Sequence, residues 1–308
     1  DLGWDQGMFS IVGAACAAGF LMRLNQDELA HAISLSLAPN LPLGVTRTGE
    51  LSMWKGCATA SATRAGVFAA QLAAAGMTGP AEPFEGRRGL WEQAGIKGGV
   101  TLDEFGGDGK NFLISDTTFK FYPSQIHTQA PIGLAIELRS QVNISEIESI
   151  GIQIYKSGVS SPASEPEKWD PQTRETADHS IPFLVAMALQ DGAVTPNSFT
   201  AQRIADPSLR DLMGKMTMSE GPGFTEKYPQ QYNCRIEIGS SGGANVSAET
   251  SYPKGHKHNP LSDEELENKF RNLAGASLSD KQCSQALEWL WRLDEAPDLT
   301  GLFDALIV

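Results

Sequence analysis

The sequence predicts a mainly α protein carrying one α+β unit, and three observations lead there. The first third reads as helices rich in alanine and glycine. A strand period of two takes over at 147–155 and again at 233–238, where isoleucines alternate with polar residues. Helix signals return after residue 257. The boundaries that follow are a helical domain over 1–117, an α+β domain over 118–256, and C-terminal helices over 257–308 that return to pack on the helical domain. A chain of 308 residues is long enough for two such packed units.

Each element has its own signal. Residues 8–22 form a small-residue helix, with Asp5 and Gln6 at its entrance and Asp5 as the simplest N-cap. Asn25 caps the next helix and Glu28 reaches back to complete a capping box, while Leu29, Ile33 and Leu37 form its buried stripe. After a loop over 39–48, a long helix over 51–76 carries Gly56, Ala60 and Gly66 at its inner turns, where small residues let helices approach closely. Gly76 and Pro80 end it, and a glycine-rich loop runs to Lys110. Helices over 132–140, 179–189 and 207–213 alternate with the two strands and a further strand over 245–252. Gly239 to Gly243 lacks the lysine of a phosphate loop and reads as a hairpin turn. Ser262 and Glu265 form a capping box before a helix whose Leu266, Phe270 and Leu273 share a face, and a last helix over 279–293 carries Trp289 and Trp291.

Composition excludes several classes. With 41% hydrophobic and 20% charged residues the chain is globular rather than disordered. A formal charge of −13 repels phosphate backbones and anionic headgroups, so neither nucleic acid nor membrane is a partner. The stretch over 6–22 is broken by glycines and lacks a basic leader, so it is neither signal peptide nor span. The four cysteines, Cys16, Cys57, Cys234 and Cys283, show no metal or cluster spacing. Cys16 and Cys57 lie in small-residue runs as buried thiols, and the compartment is reducing: cytoplasmic, or mitochondrial in a eukaryote. The chain opens at Asp1 without methionine and runs almost at once into a helix, which suggests a missing N-terminal segment.

Chemistry concentrates in three places. Between Lys120 and Gln129 lie a lysine, a tyrosine, a histidine and two glutamines, Gln125 among them. Such a set can hold a carboxylate and move a proton; the plainer alternative is a hydrated crossing loop. Asp178, His179 and Ser180 are consecutive, so they make no Ser-His-Asp triad by themselves; Asp178 or Ser180 caps the helix that Pro182 enters. His179 then stands at a helix N-terminus, where a neutral imidazole accepts a proton or adjoining N–H groups bind an anion. Lys55, on an otherwise apolar helical surface, either snorkels to solvent or faces a polar cavity. His256 and His258 lack a third ligand nearby and make a poor metal site.

Together these motifs resemble the MmgE/PrpD family: Gly3-Trp-Asp5, Gly49-Glu-Leu-Ser-Met-Trp-Lys-Gly56, Gly76-Met-Thr-Gly-Pro80 with Pro83-Phe-Glu-Gly86, Lys120-Phe-Tyr-Pro123 with His127, and Arg174-Glu-Thr-Ala-Asp-His-Ser180. The resemblance implies a large all-helical domain, a smaller α+β lid, and C-terminal helices that return to the helical domain. It implies cofactor-free chemistry in a homodimer, typified by 2-methylcitrate dehydration, with cis-aconitate decarboxylation and an epimerase among the family's other activities. Family members are longer at the N-terminus, so the chain resembles a truncated member. Carried over residue by residue, Lys120 binds a substrate carboxylate, His127 serves as acid or base, and Lys55, Gln6, Gln125 and His179 bind or orient the substrate. Two departures stand out. Many members have histidine where Gln6 stands and threonine where Met8 stands, and tyrosine where Phe183 stands. Gln6 cannot act as an acid or base, so the resemblance also admits a weakened or purely carboxylate-binding relative.

Overall fold

The computed structural model describes residues 3–307 apart from 41, 99, 102–105, 108, 161–163 and 244. Part of the expected glycine-rich loop before Lys110 therefore lies outside the described residues. The chain divides into two compact units, one of residues 1–111 with 171–176, the other of residues 112–170 with 177–308. Residues 257–308 fall within the second unit. Helices predominate, and four strands form one mixed sheet. Among the described residues no helix is long and apolar enough to cross a membrane.

The first unit is built on α1 (Gly7–Leu21), α2 (Gln26–Leu37) and α3 (Trp54–Ala74). The Asn25–Glu28 capping box forms with both of its hydrogen bonds, so α2 starts where local chemistry dictates. On α2, Leu37 is buried while Leu29 and Ile33 are half-buried. Helices α1 and α3 meet at Gly66, which is buried; a Cβ there would lie 2.4 Å from the Ile11 carbonyl oxygen and 2.9 Å from the Ala15 nitrogen. Gly56 and Ala60, expected on the same inner face, are exposed, and nothing lies within 4 Å of a Cβ built on Gly56. The register explains the difference: Ala69, Ala70 and Ala73 continue the buried face that Gly66 begins, whereas the start of α3 leans away from it. Cys57 shares that outward stretch and is exposed rather than buried, and Cys16 is half-buried. Gly76, at φ 88°, ends the helix as the sequence indicates.

The second unit contains α4 (Gln129–Arg139), β1 (Ile147–Ile154), α5 (Ile181–Asp191), α6 (Pro207–Met213), β2 (Met216–Glu220), β3 (Cys234–Ser240), β4 (Asn245–Thr250), α7 (Asp263–Ala274), α8 (Asp280–Trp291) and α9 (Thr300–Ala305). Strand order is β2-β1-β3-β4, with β1 parallel to β2 and the other pairs antiparallel. Ile147, Ile150, Ile152 and Ile154 of β1 and Cys234, Ile236 and Ile238 of β3 give the sheet its buried face. Helix α5 is buried from Ile181 to Leu189 and lies in the same core as the sheet. It packs against α4 and α6. Strand β2 has no counterpart in the sequence reading, because five residues with one buried position carry little alternation. The turn over 240–243 joins β3 toward β4 as expected, closed by the Gly243 N–H to the Ser240 carbonyl at 2.9 Å. Helices α7 and α8 both begin with complete capping boxes, although Leu273 of the expected α7 stripe is exposed.

The two glycines of α3 make a controlled comparison. Helix propensity favours alanine over glycine by about 1 kcal/mol at either position, but only at Gly66 does a methyl group meet backbone. We expect Gly66→Ala to lower the urea midpoint, at an overpacking cost of about 1–3 kcal/mol, and Gly56→Ala to leave it level or raise it.

Candidate active-site residues

The six candidate residues fall into two groups, one in each unit. In the first unit, Gln6 and Lys55 stand near Asp5, which is buried. Gln6, the residue next to the helix start, is exposed and makes no side-chain cap, whereas Asp5 accepts a first-turn N–H of α1 as expected and takes a second partner as well. The Asp5 carboxylate takes the Gly7 N–H at 2.7 Å and both ends of the Arg47 guanidinium, with the Arg47 Nη2 donating at 3.0 Å. Burial alone raises the pKa of Asp5. The Arg47 hydrogen bond, the Gly7 N–H and the charges of Arg47 and Lys55 outweigh it, so the carboxyl sits below its ordinary value. Lys55 is half-buried and lies within electrostatic reach of this pair. A cleft of about 390 Å³ opens here, lined by Asp5, Asn40, Thr46, Trp54 and Ser61 among others. It therefore offers hydroxyl and amide groups beside a fixed ion pair.

In the second unit, the segment after Lys120 is cross-braced rather than a loose loop. Gln129 accepts the Tyr122 N–H at 2.9 Å and donates to the Tyr122 carbonyl at 3.1 Å and the Ser124 hydroxyl at 2.9 Å. Ser124 and Thr128 share a hydrogen bond at 2.6 Å. Gln125 accepts the His127 N–H at 2.7 Å through its side-chain oxygen, capping a short turn, and its own N–H reaches the Asp178 carbonyl at 3.0 Å. The structure thus brings Gln125, His127 and the 178–180 turn together. Of Gln125, the amide nitrogen is the part left for a ligand.

His127 is half-buried, and its Nδ1 lies 2.5 Å from the Tyr155 hydroxyl. Burial holds the imidazole down to about 4. Tyr155 is fully buried, and burial, with Tyr228 and Tyr232 adding, pushes its phenol far above the ordinary range. Tyr228 stacks on Tyr155 at 4.3 Å, and Tyr232 meets it edge-on. His179 is engaged through Nδ1 by Asp178. The two neighbours face each other because residues 178–179 form a turn outside the helix. Ser180 takes no part in a triad; its hydroxyl caps α5 by accepting the Phe183 N–H at 3.1 Å and donates to the Lys168 carbonyl. Phe183 itself is wholly buried in the core.

Lys120 is exposed, and its carbonyl accepts a hydrogen bond from the Lys269 Nζ. Burial and then the charge of Lys120 hold the Lys269 ammonium below the ordinary lysine value. Two cations thus adjoin at this edge of the second unit. The sequence reading missed Lys269, and also Arg47 and Tyr155, because each lies far along the chain from the residue it serves.

A histidine depressed in this way contributes stability that is fully present above its ordinary value near 6.5 and is lost as pH falls toward 4. We expect the His127 ring protons to titrate near pH 4 by NMR. A midpoint near 6.5 would show that the ring is not desolvated.

Comparison with known proteins identifies the chain's relatives. The MmgE/PrpD N-terminal domain matches residues 1–101 and the MmgE/PrpD C-terminal domain matches residues 122–293. The cis-aconitate decarboxylase of Mus musculus is 28% identical over 132 residues, 43% of this chain and 27% of that protein. The cis-aconitate decarboxylase of Homo sapiens is 23% identical over 299 residues, 94% of this chain and 60% of that protein. The 2-methylcitrate dehydratase of Salmonella typhimurium (strain LT2) is 23% identical over 237 residues, 74% of this chain and 47% of that protein. The chain spans 60% or less of the length of these relatives. With the C-terminal domain alone matched over more than half of its residues and the N-terminal domain ahead of it in order, the chain belongs to the MmgE/PrpD family.

Proposed function

We propose that the chain is a lyase of the MmgE/PrpD type that dehydrates 2-methylcitrate or a related hydroxy-carboxylate. The observation that carries this is the ordered pair of family matches over 1–101 and 122–293, with dehydratases and decarboxylases of carboxylated substrates among the relatives. Loss of water next to a carboxylate needs a base for the carbon-bound proton. The C–O bond then breaks as the C=C bond forms, and the departing hydroxyl leaves with a proton as water. Cations must hold the substrate's negative charges throughout. In this reading Lys120 and Lys55 hold carboxylates, His127 contacts the reacting part, and Gln6, Gln125 and His179 orient the rest. The enzyme works as a homodimer without a cofactor, in the cytoplasm or a mitochondrion.

A decarboxylase of cis-aconitate is the second reading, favoured by the match to the human enzyme across 94% of this chain. The same cations would hold the tricarboxylate while the bond to one carboxylate breaks, carbon dioxide leaves, and the carbon takes up a proton in its place. A binding protein without turnover would keep those contacts alone.

The test is an NMR assay in deuterated water with 2-methylcitrate, citrate and cis-aconitate, with a chelator present. We expect an unsaturated acid from a hydroxylated substrate. Carbon dioxide from cis-aconitate would select the decarboxylase, and no turnover or deuterium uptake with any of the three would sink the lyase reading for these substrates. Lys120→Ala is expected to lower kcat/KM by roughly 10–100-fold, as loss of a charged hydrogen bond does, with an unchanged unfolding midpoint. Full retention of activity would remove Lys120 from the site.

A further inference from the structure

Tyr155 and His127 are joined by one hydrogen bond between heavy atoms 2.5 Å apart, and the direction of that bond decides what His127 offers. Among the described residues the Tyr155 hydroxyl bonds to nothing but the His127 Nδ1. If Nδ1 carried the hydrogen, the phenol would be left buried with its O–H lacking an acceptor, since Tyr155 is 1% exposed and Tyr228 stacks over its ring. If Tyr155 donates, both groups are satisfied. Nδ1 then accepts, and the hydrogen of the neutral ring must sit on Nε2. Nε2 has no hydrogen-bond partner among the described residues and is not sealed from solvent.

We infer that Tyr155 is a positioning residue that fixes His127 as its neutral Nε2–H tautomer, so that His127 serves the site as a hydrogen-bond donor to a substrate oxygen. Burial supports this, because it keeps the ring uncharged at neutral pH and the phenol protonated. A neutral imidazole cannot give up its last proton readily, since imidazolate is a very strong base. It can polarise a carboxylate or carbonyl oxygen without transferring anything, a use of neutral histidine known in other enzymes. The Gln125 side chain, holding the His127 N–H at 2.7 Å, fixes the backbone beneath the ring. The acid-or-base role that the sequence suggests for His127 is thereby replaced by fixed donation. The word substrate rests on the lyase reading above; the tautomer does not.

The experiment uses the 308-residue chain labelled with nitrogen-15 in its five histidines and read by long-range proton–nitrogen correlation near pH 7.5. The His127 signals are assigned by their loss in His127→Gln. The expected result is a protonated Nε2 and a bare Nδ1 in the unsubstituted chain, relaxing toward a mixture of tautomers in Tyr155→Phe. A protonated Nδ1, or an unchanged pattern in Tyr155→Phe, would overturn the inference; should that variant fail to fold, the unsubstituted chain alone decides. A kinetic arm follows on whichever substrate the assay above identifies. Glutamine can donate an N–H but cannot shuttle a proton, so His127→Gln should keep at least tenfold more turnover than His127→Phe. Equal losses of about 10²–10⁴-fold would restore a proton-transfer role. The spectra are read whether or not the chain turns over, so failure of the lyase reading and failure of the tautomer are told apart.

Discussion

Helix α5 buries every residue from Ile181 to Leu189, and a helix apolar on all sides can be stable only where other elements cover each face. That constraint organises the second unit. Helices α4 and α6 pack against it, and the isoleucines of β1 and β3 complete the core. Its N-terminus is then pinned by Ser180, and the Asp178 carbonyl just ahead of it receives the Gln125 N–H. The segment bearing His127 is thus anchored to the start of the most buried helix, and Tyr155 at the end of β1 meets it from the sheet. The position of His127 is thereby tied to this core.

A net charge of −13 gives no hint of where an anion would bind, since the cations that matter are few and local. In the first unit Arg47 and Lys55 gather around the buried carboxylate of Asp5. In the second, Lys120 and Lys269 adjoin closely enough for one charge to depress the other's protonation. Adjacent ammonium groups repel, and a bound carboxylate would relieve that repulsion. Surface charge governs solubility; these local arrangements govern what a cleft can hold.

The legible parts of the sequence were those set by near neighbours. Capping boxes at Asn25 and Ser262 span three residues each and formed as read. The alternation in β1 and β3 is likewise local, and so are the hairpin turn and the serine cap at Ser180. What stayed hidden depends on distant partners. Asp5 reads as a helix cap, but nothing near it in the sequence shows that Arg47, 42 residues on, also binds its carboxylate. His127 finds Tyr155 across 28 residues, and Lys269 reaches Lys120 across 149. The inner face of α3 was legible in kind but not in phase: glycine and alanine occur all along it, and only packing against α1 shows that Gly66 is inside and Gly56 outside. Strand β2 gains its place from pairing with β1 rather than from its own pattern.

These distant pairings also divide the chemical labour. An exposed ammonium such as that of Lys120 suits the binding of carboxylates, which needs a cation and tolerates solvent. A half-buried ring held against a buried phenol suits the opposite task, because desolvation disfavours its charge while strengthening each hydrogen bond it makes. Placing His127 beside Tyr155 therefore trades proton mobility for fixed direction. In the lyase reading the base that removes a carbon-bound proton is then a group other than His127, and neither the Gln6 amide nor the Phe183 ring can accept a proton at neutral pH. His179, held by Asp178 through one ring nitrogen, is the remaining imidazole among the candidate residues whose second nitrogen could serve.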